Sequence, residues 1–171
     1  MIKIYVDGDG CPVKNEVFRV AIRYGLEVCV VANSRIRIPQ ERLFELVIVN
    51  ERFDAADDWI VEHVRKNDIA ISSDIPLAAR CLEKGARMLD PKGRVFTEES
   101  IGGALANREL MAHLRELGNF TGGPAPFEKR DRSRFLERLD GVIQAALKAR
   151  RQTQSRPMNA GEWAARNDSD R

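Results

Sequence analysis

At 171 residues, with 28 Lys and Arg against 26 Asp and Glu, the chain has a formal net charge of only +2. That length suits one globular domain with a tail, and it contains no apolar run long enough to span a bilayer. Cys11, Cys29 and Cys81 are odd in number and lack CxxC spacing, which argues against a disulfide framework or a structural zinc site and fits a reducing cytoplasm. Met1 leads directly into strand-like sequence, so no signal peptide is expected. The charge is unevenly placed. Residues 1–126 carry 17 Lys and Arg against 19 Asp and Glu, whereas residues 127–171 carry 11 against 7. An acidic domain with a basic C-terminal segment is compatible with a polyanionic partner.

Ile2, Ile4 and Val6, with Tyr5, read as a short buried strand ending at Asp7. Gly8 and Gly10 allow a sharp turn, and Pro12 suits the first turn of a helix that continues over Val13–Tyr24 and closes at Gly25. Val28–Ala32 is a continuous apolar run, expected as a buried strand. A loop with Arg35 and Arg37 leads to a third strand, Leu46–Val49. Asp54–Arg65 reads as a helix, Ile69–Ile71 as a fourth strand, Pro76–Glu83 as a helix and Ala86–Leu89 as a fifth strand. Glu98–Leu117 is expected to be helical but broken early by Gly102 and Gly103. Residues 118–126 read as an irregular loop, and Asp131–Arg150 as a final helix with Phe135, Leu136, Leu139, Ile143 and Leu147 on its apolar face. The polar residues 151–171 are expected to be a disordered tail. Strands alternating with helices predict a mostly parallel sheet of about five strands covered by helices, within residues 1–150.

Acidic residues recur where such a sheet places ligands. Asp7 and Asp9 follow the first strand, Asp54, Asp57 and Asp58 open a helix, and Asp74 follows the fourth strand. Asp54 and Asp57 fit a helix cap and first turn as well as they fit a ligand set, and Asp74 ahead of Pro76 is equally a good helix start. Asp7 and Asp9 place like charges together with no structural gain, which points to function. Converging carboxylates suit Mg²⁺ or Mn²⁺, and such an ion serves phosphoryl chemistry. Cys11 sits near a helix start but reads better as a buried thiol, and His63 and His113 as structural histidines. Thr121, Gly122 and Gly123, followed by Lys129, Arg130, Arg132 and Arg134, read either as a clamp for a nucleic-acid backbone or as a loop before a solvated basic helix face.

Asp7-Gly-Asp-Gly-Cys-Pro-Val13, Phe53-Asp-Ala-Ala-Asp-Asp-Trp59, Ser73-Asp-Ile-Pro-Leu-Ala78, Thr121-Gly-Gly-Pro124 and Lys129-Arg-Asp-Arg132 together resemble the YaiI/YqxD family of uncharacterised bacterial proteins. The resemblance covers about residues 2–148. It implies a cytoplasmic bacterial PIN-like domain, a three-layer α/β/α fold with an acidic site. By that resemblance Asp7, Asp57 or Asp58, and Asp74 are the acids of the site, while Asp9 has no firm counterpart. The leading expectation is a Mg²⁺- or Mn²⁺-dependent ribonuclease or phosphodiesterase. In it Asp7, Asp58 and Asp74 hold the metal, Asp9 and Asp57 support them, and residues 121–134 hold the phosphates of RNA or another phosphate-bearing substrate. One alternative is a haloacid-dehalogenase-like phosphatase, with Asp7 as nucleophile, Asp9 as acid/base and Ser72 or Ser73 as its second motif; against it, the Asp57-Asp58 pair precedes the serine. The other is a non-catalytic RNA-binding module. No membrane partner is expected, and the oligomeric state is left open.

Overall fold

Alternation along β1 (Lys3–Asp7) sends Ile4 and Val6 to one face of a sheet and Tyr5 to the other. The computed structural model describes residues 1–50, 52, 54–118, 123 and 125–154. After β1 come α1 (Lys14–Tyr24), β2 (Glu27–Ala32), β3 (Phe44–Ile48), α2 (Ala55–His63), β4 (Ile69–Ile71) and α3 (Ile75–Glu83). Then follow β5 (Arg87–Leu89), β6 (Val95–Phe96), α4 (Glu98–Glu116) and α5 (Lys129–Gln154). The sheet order is β3-β2-β1-β4-β5-β6, parallel throughout except for the antiparallel β5–β6 pair.

Two cores lie on opposite faces of this sheet. On one, Val17, Phe18 and Ala21 of α1 and Phe135, Leu139 and Ile143 of α5 pack over Ile4, Val28, Ile69 and Leu89. On the other, Ile60 of α2, Leu77 and Cys81 of α3 and Ala104 of α4 pack over Tyr5, Cys29, Ala70 and Met88. The result is the three-layer α/β/α arrangement expected. Strands buried on both faces have no polar alternation, which is why β2 and β4 read as unbroken apolar runs.

Some boundaries differ from expectation. β3 begins two residues earlier, at Phe44, whose ring packs on Phe18 with centroids 4.7 Å apart. β6 adds a sixth strand of two residues, too short to show a period. Gly102 and Gly103 do not break α4. Both are exposed, and the helix is anchored by a capping box between Thr97 and Ser100. α5 starts at Lys129 and continues to Gln154, so residues 151–154 belong to a helix rather than to the expected tail, whose remainder lies outside the described residues. Pro12 lies in a turn ahead of α1, not in its first turn. Among the described residues no helix is long and apolar enough to cross a membrane.

The chain steps outward from β1 through β2 to β3, then returns to β4 on β1's other side. The sheet therefore reverses its order between β1 and β4. In open α/β sheets ligands commonly bind outside the carboxyl ends of the strands at such a reversal.

Candidate functional site

Asp7, the last residue of β1, and Ser72, the first after β4, face each other across this switch point. Ser72 Oγ donates to Asp7 Oδ2 at 2.9 Å and accepts the Asp74 backbone N–H at 3.0 Å. Asp74 in turn caps α3, its Oδ1 accepting the Leu77 N–H at 2.8 Å. A relay of hydrogen bonds thus runs from a helix N-terminus to Asp7. Of the two helix starts at which a capping role was weighed, α3 shows it. Asp54, at the start of α2, makes no side-chain cap and sits at φ +61°, a left-handed conformation uncommon outside glycine.

The loop after Asp7 is pressed against β2. Gly8 donates its N–H to Val31 O at 2.7 Å, and a Cβ there would stand 2.8 Å from Val30 Cγ1. Only glycine allows this approach. Lys14 Nζ donates to the Gly8 and Cys11 carbonyls at 2.9 and 3.0 Å, holding the loop from within. Asp9 Oδ2 accepts the Asn33 N–H at 2.8 Å, which joins the β1 and β2 loops. An open crevice of about 330 Å³ lies between them, lined by Asp7, Asp9, Asn33, Arg52, Asp54 and Asp57 among others.

Crowding of carboxylates shapes the electrostatics. Burial pushes the Asp57 carboxyl up to about 7, with Asp74, Asp7 and Asp54 adding to the rise and Arg80 opposing it. Burial also raises Asp7, against the Ser72 hydroxyl bond, which favours its charged form; Asp9 and Asp74 raise it further. Asp58 is placed differently from the sequence expectation. It faces Arg52 at 3.0 Å and Arg80 at 2.9 Å, and it is Asp57 that shares the field of Asp7 and Asp74. Adjacent positions on a helix point about 100° apart, so only one of the two can face the strands' ends. No three acidic, histidine or cysteine side chains among the described residues converge closely enough to hold a metal ion together.

The expected phosphate clamp fares differently. Thr121 and Gly122 lie outside the described residues, and Gly123 is exposed. Arg130 pairs with Glu128 at 2.8 Å, and Arg134 approaches Asp131 at 3.9 Å. Arg132 pairs with the buried Glu16 of α1 at 2.5 Å and lies over the Phe127 ring. Lys129 is exposed at the start of α5. Of these arginines Arg132 fastens α5 to α1, whereas the pairs of Arg130 and Arg134 are local to the start of α5. Cys11 is buried, and burial raises its thiol. His63 is exposed, its ring stacked on Trp59 with centroids 3.7 Å apart.

Sequence reasoning missed Lys14, Asn33, Arg52 and Arg80, and weighed Ser72 only within the phosphatase alternative. Arg80 stood six residues after Asp74 within the expected helix, but its partner Asp58 is 22 positions away. No local period links the two.

A model of the family described as uncharacterised BCR, YaiI/YqxD, matches residues 5–145. The chain belongs to the YaiI/YqxD family. A UPF0178 protein of Rhodospirillum centenum is 54% identical over 154 residues, 88% of this chain and 100% of that protein. One from Paramagnetospirillum magneticum is 56% identical over 85% of this chain and 97% of its own length. A third, from Rhodopseudomonas palustris, is 50% identical over 91% and 94%. No solved structure matches the chain. The family match spans every residue lining the crevice, from Asp7 to Asp57, and Arg80 beyond it.

Proposed function

We propose that the crevice at the carboxyl end of β1, beside the switch point, binds a divalent cation and hydrolyses a phosphate ester, with RNA or a related phosphodiester as substrate. The observation that carries this reading is the position of Asp57. It lines the crevice with Asp7, Asp9 and Asp54, and burial raises its carboxyl to about 7, with the charges of Asp74, Asp7 and Asp54 adding to the rise. A cation among these groups would relieve that repulsion. Carboxylates are hard oxygen donors and suit Mg²⁺ or Mn²⁺. Mg²⁺ keeps several of its waters and commonly takes only one or two protein carboxylates, so a set that does not converge three at a time still fits it. Asp7, with Asp57 or Asp74, would hold the ion, which when bound supplies a Lewis acid and a more acidic water.

The chain's own groups have distinct parts in this reading. The Ser72 hydroxyl fixes Oδ2 of Asp7, a carboxylate that also lines the crevice. Where Asp74 is the partner of Asp7 on the ion, Asp57, raised to about 7 by burial and its acidic neighbours, can take or release a proton at pH 7. Asp9 closes the loop against Asn33 rather than entering the chemistry.

Thermal melting in a Mg²⁺ or Mn²⁺ titration tests the proposal. Millimolar metal should raise the melting temperature of the wild type and leave Asp7→Asn unmoved. An equal response in both proteins, or in neither, would sink the cation site, and with it the reason to screen RNA substrates. The Ser72–Asp7 bond favours a second reading, the phosphatase with Asp7 as nucleophile. A phosphoryl group trapped on Asp7 after incubation with a phosphomonoester would establish it.

A further inference from the structure

Asp58 stands between two guanidinium groups. Its Oδ2 accepts from Arg52 Nη2 at 3.0 Å and its Oδ1 from Arg80 Nη2 at 2.9 Å. Arg52 comes from the segment entering α2 and Arg80 from α3, so one carboxylate ties together cations from two parts of the chain. The Arg52, Asp58 and Arg80 side chains are 68%, 36% and 43% exposed, and ion pairs so open to water add little to stability.

Their place in the fold gives them another use. Arg52 lines the acidic crevice, and Arg80 reaches from α3 to the same Asp58 carboxylate that holds Arg52. Each guanidinium has five N–H donors in a planar fork. Among the described residues, each gives one hydrogen bond, to Asp58. The remaining donors are suited to the oxygens of a tetrahedral anion, which guanidinium forks bind in pairs. An acidic site that takes an anionic substrate needs fixed cations at its rim, and Arg52 is the arginine that lines this crevice.

We propose that Arg52 and Arg80, held in register by Asp58, form a phosphate-binding clamp at the rim of the crevice. It takes a phosphate group, whether a free anion or a link of a nucleic-acid backbone. The inference rests on reading the crevice as a phosphate-ester hydrolase. It makes Asp58 a positioning residue, not a metal ligand.

The test uses the full chain and thermal melting. Wild type, Arg52→Ala/Arg80→Ala and Arg52→Lys/Arg80→Lys are titrated with inorganic phosphate and with a short single-stranded RNA carrying phosphorothioate links. Each titration is run with and without Mg²⁺, and Mg²⁺ is also titrated alone. The expected result is a phosphate or RNA response in the wild type, weakened about tenfold or more in the double alanine variant and partly restored by lysine. The Mg²⁺ response should survive in both variants. A response to RNA but not to inorganic phosphate would assign the clamp to the backbone diester; a response to both would assign it to the phosphate group itself. Equal responses in wild type and double alanine variant, or no wild-type response to either probe under either condition, would overturn the clamp. A wild type that ignores Mg²⁺ would overturn the cation reading alone, and the comparison of phosphate responses would still decide the clamp. If the double alanine variant fails to fold by circular dichroism, Arg52→Ala alone carries the comparison.

Discussion

Asp57 changes its protonation between folded and unfolded chains, which makes it measurable without any substrate. Its folded value near 7 lies above the ordinary 3.8, so between those values the folded state holds a proton that the unfolded state has released. Stability contributed by this group is present at pH 4 and is lost as pH rises to about 7. Asp57→Asn removes that loss. The variant should melt a few degrees above wild type at pH 8 and nearly with it at pH 4. Solvent screening holds the difference to about 1–2 kcal/mol. Ser72 acts through its hydroxyl, which serves Asp7 and the Asp74 N–H together. Ser72→Ala leaves both without that partner in a buried setting and should cost about 1–3 kcal/mol in urea denaturation.

At the scale of elements, two glycines that look alike in sequence have opposite roles. At Gly8 a Cβ would meet Val30 Cγ1 at 2.8 Å and the Val31 carbonyl at 3.0 Å, so β1's exit would have to move away from β2. Gly8→Ala should destabilise by about 1–3 kcal/mol and shift the loop that carries Asp9. Gly102 lies in α4 with nothing within 4 Å of its would-be Cβ. Gly102→Ala should stabilise by up to about 1 kcal/mol through helix propensity. Denaturant midpoints of the two variants should move in opposite directions. The reading of Gly102 and Gly103 as a break weighed propensity alone, whereas the Thr97–Ser100 capping box and packing of Ala104 hold the helix through them.

For the molecule as a whole, α5 is as necessary to the fold as any central strand. Phe135, Leu139 and Ile143 are fully buried against α1 and the sheet, although α5 carries none of the crevice residues. Burying a large apolar side chain is worth about 1.5–3 kcal/mol, and a domain's net stability is only about 5–15 kcal/mol. A chain truncated before Lys129 should therefore fail to show a cooperative melt and expose apolar surface to a hydrophobic dye.

The strands and helices were legible because their signals are local. Val28–Ala32 reads as buried strand from composition alone, and the spacing of Phe135, Leu139 and Ile143 reads as one helix face. The placing of Asp7 and Asp74 at strand exits was legible in the same way. What tertiary structure alone decided is which side chains meet. Asp57 and Asp58 are neighbours in sequence and have the same chemistry. The rotation of α2 against the sheet turns Asp57 toward Asp7 and Asp74 and leaves Asp58 to Arg52 and Arg80. Likewise Arg132 reads as a free cation until α5 packs on α1 and brings it to Glu16, 116 positions away. Secondary structure follows from periodicity within a few residues. Charge partners depend on how whole elements pack, and no short stretch of sequence contains that information.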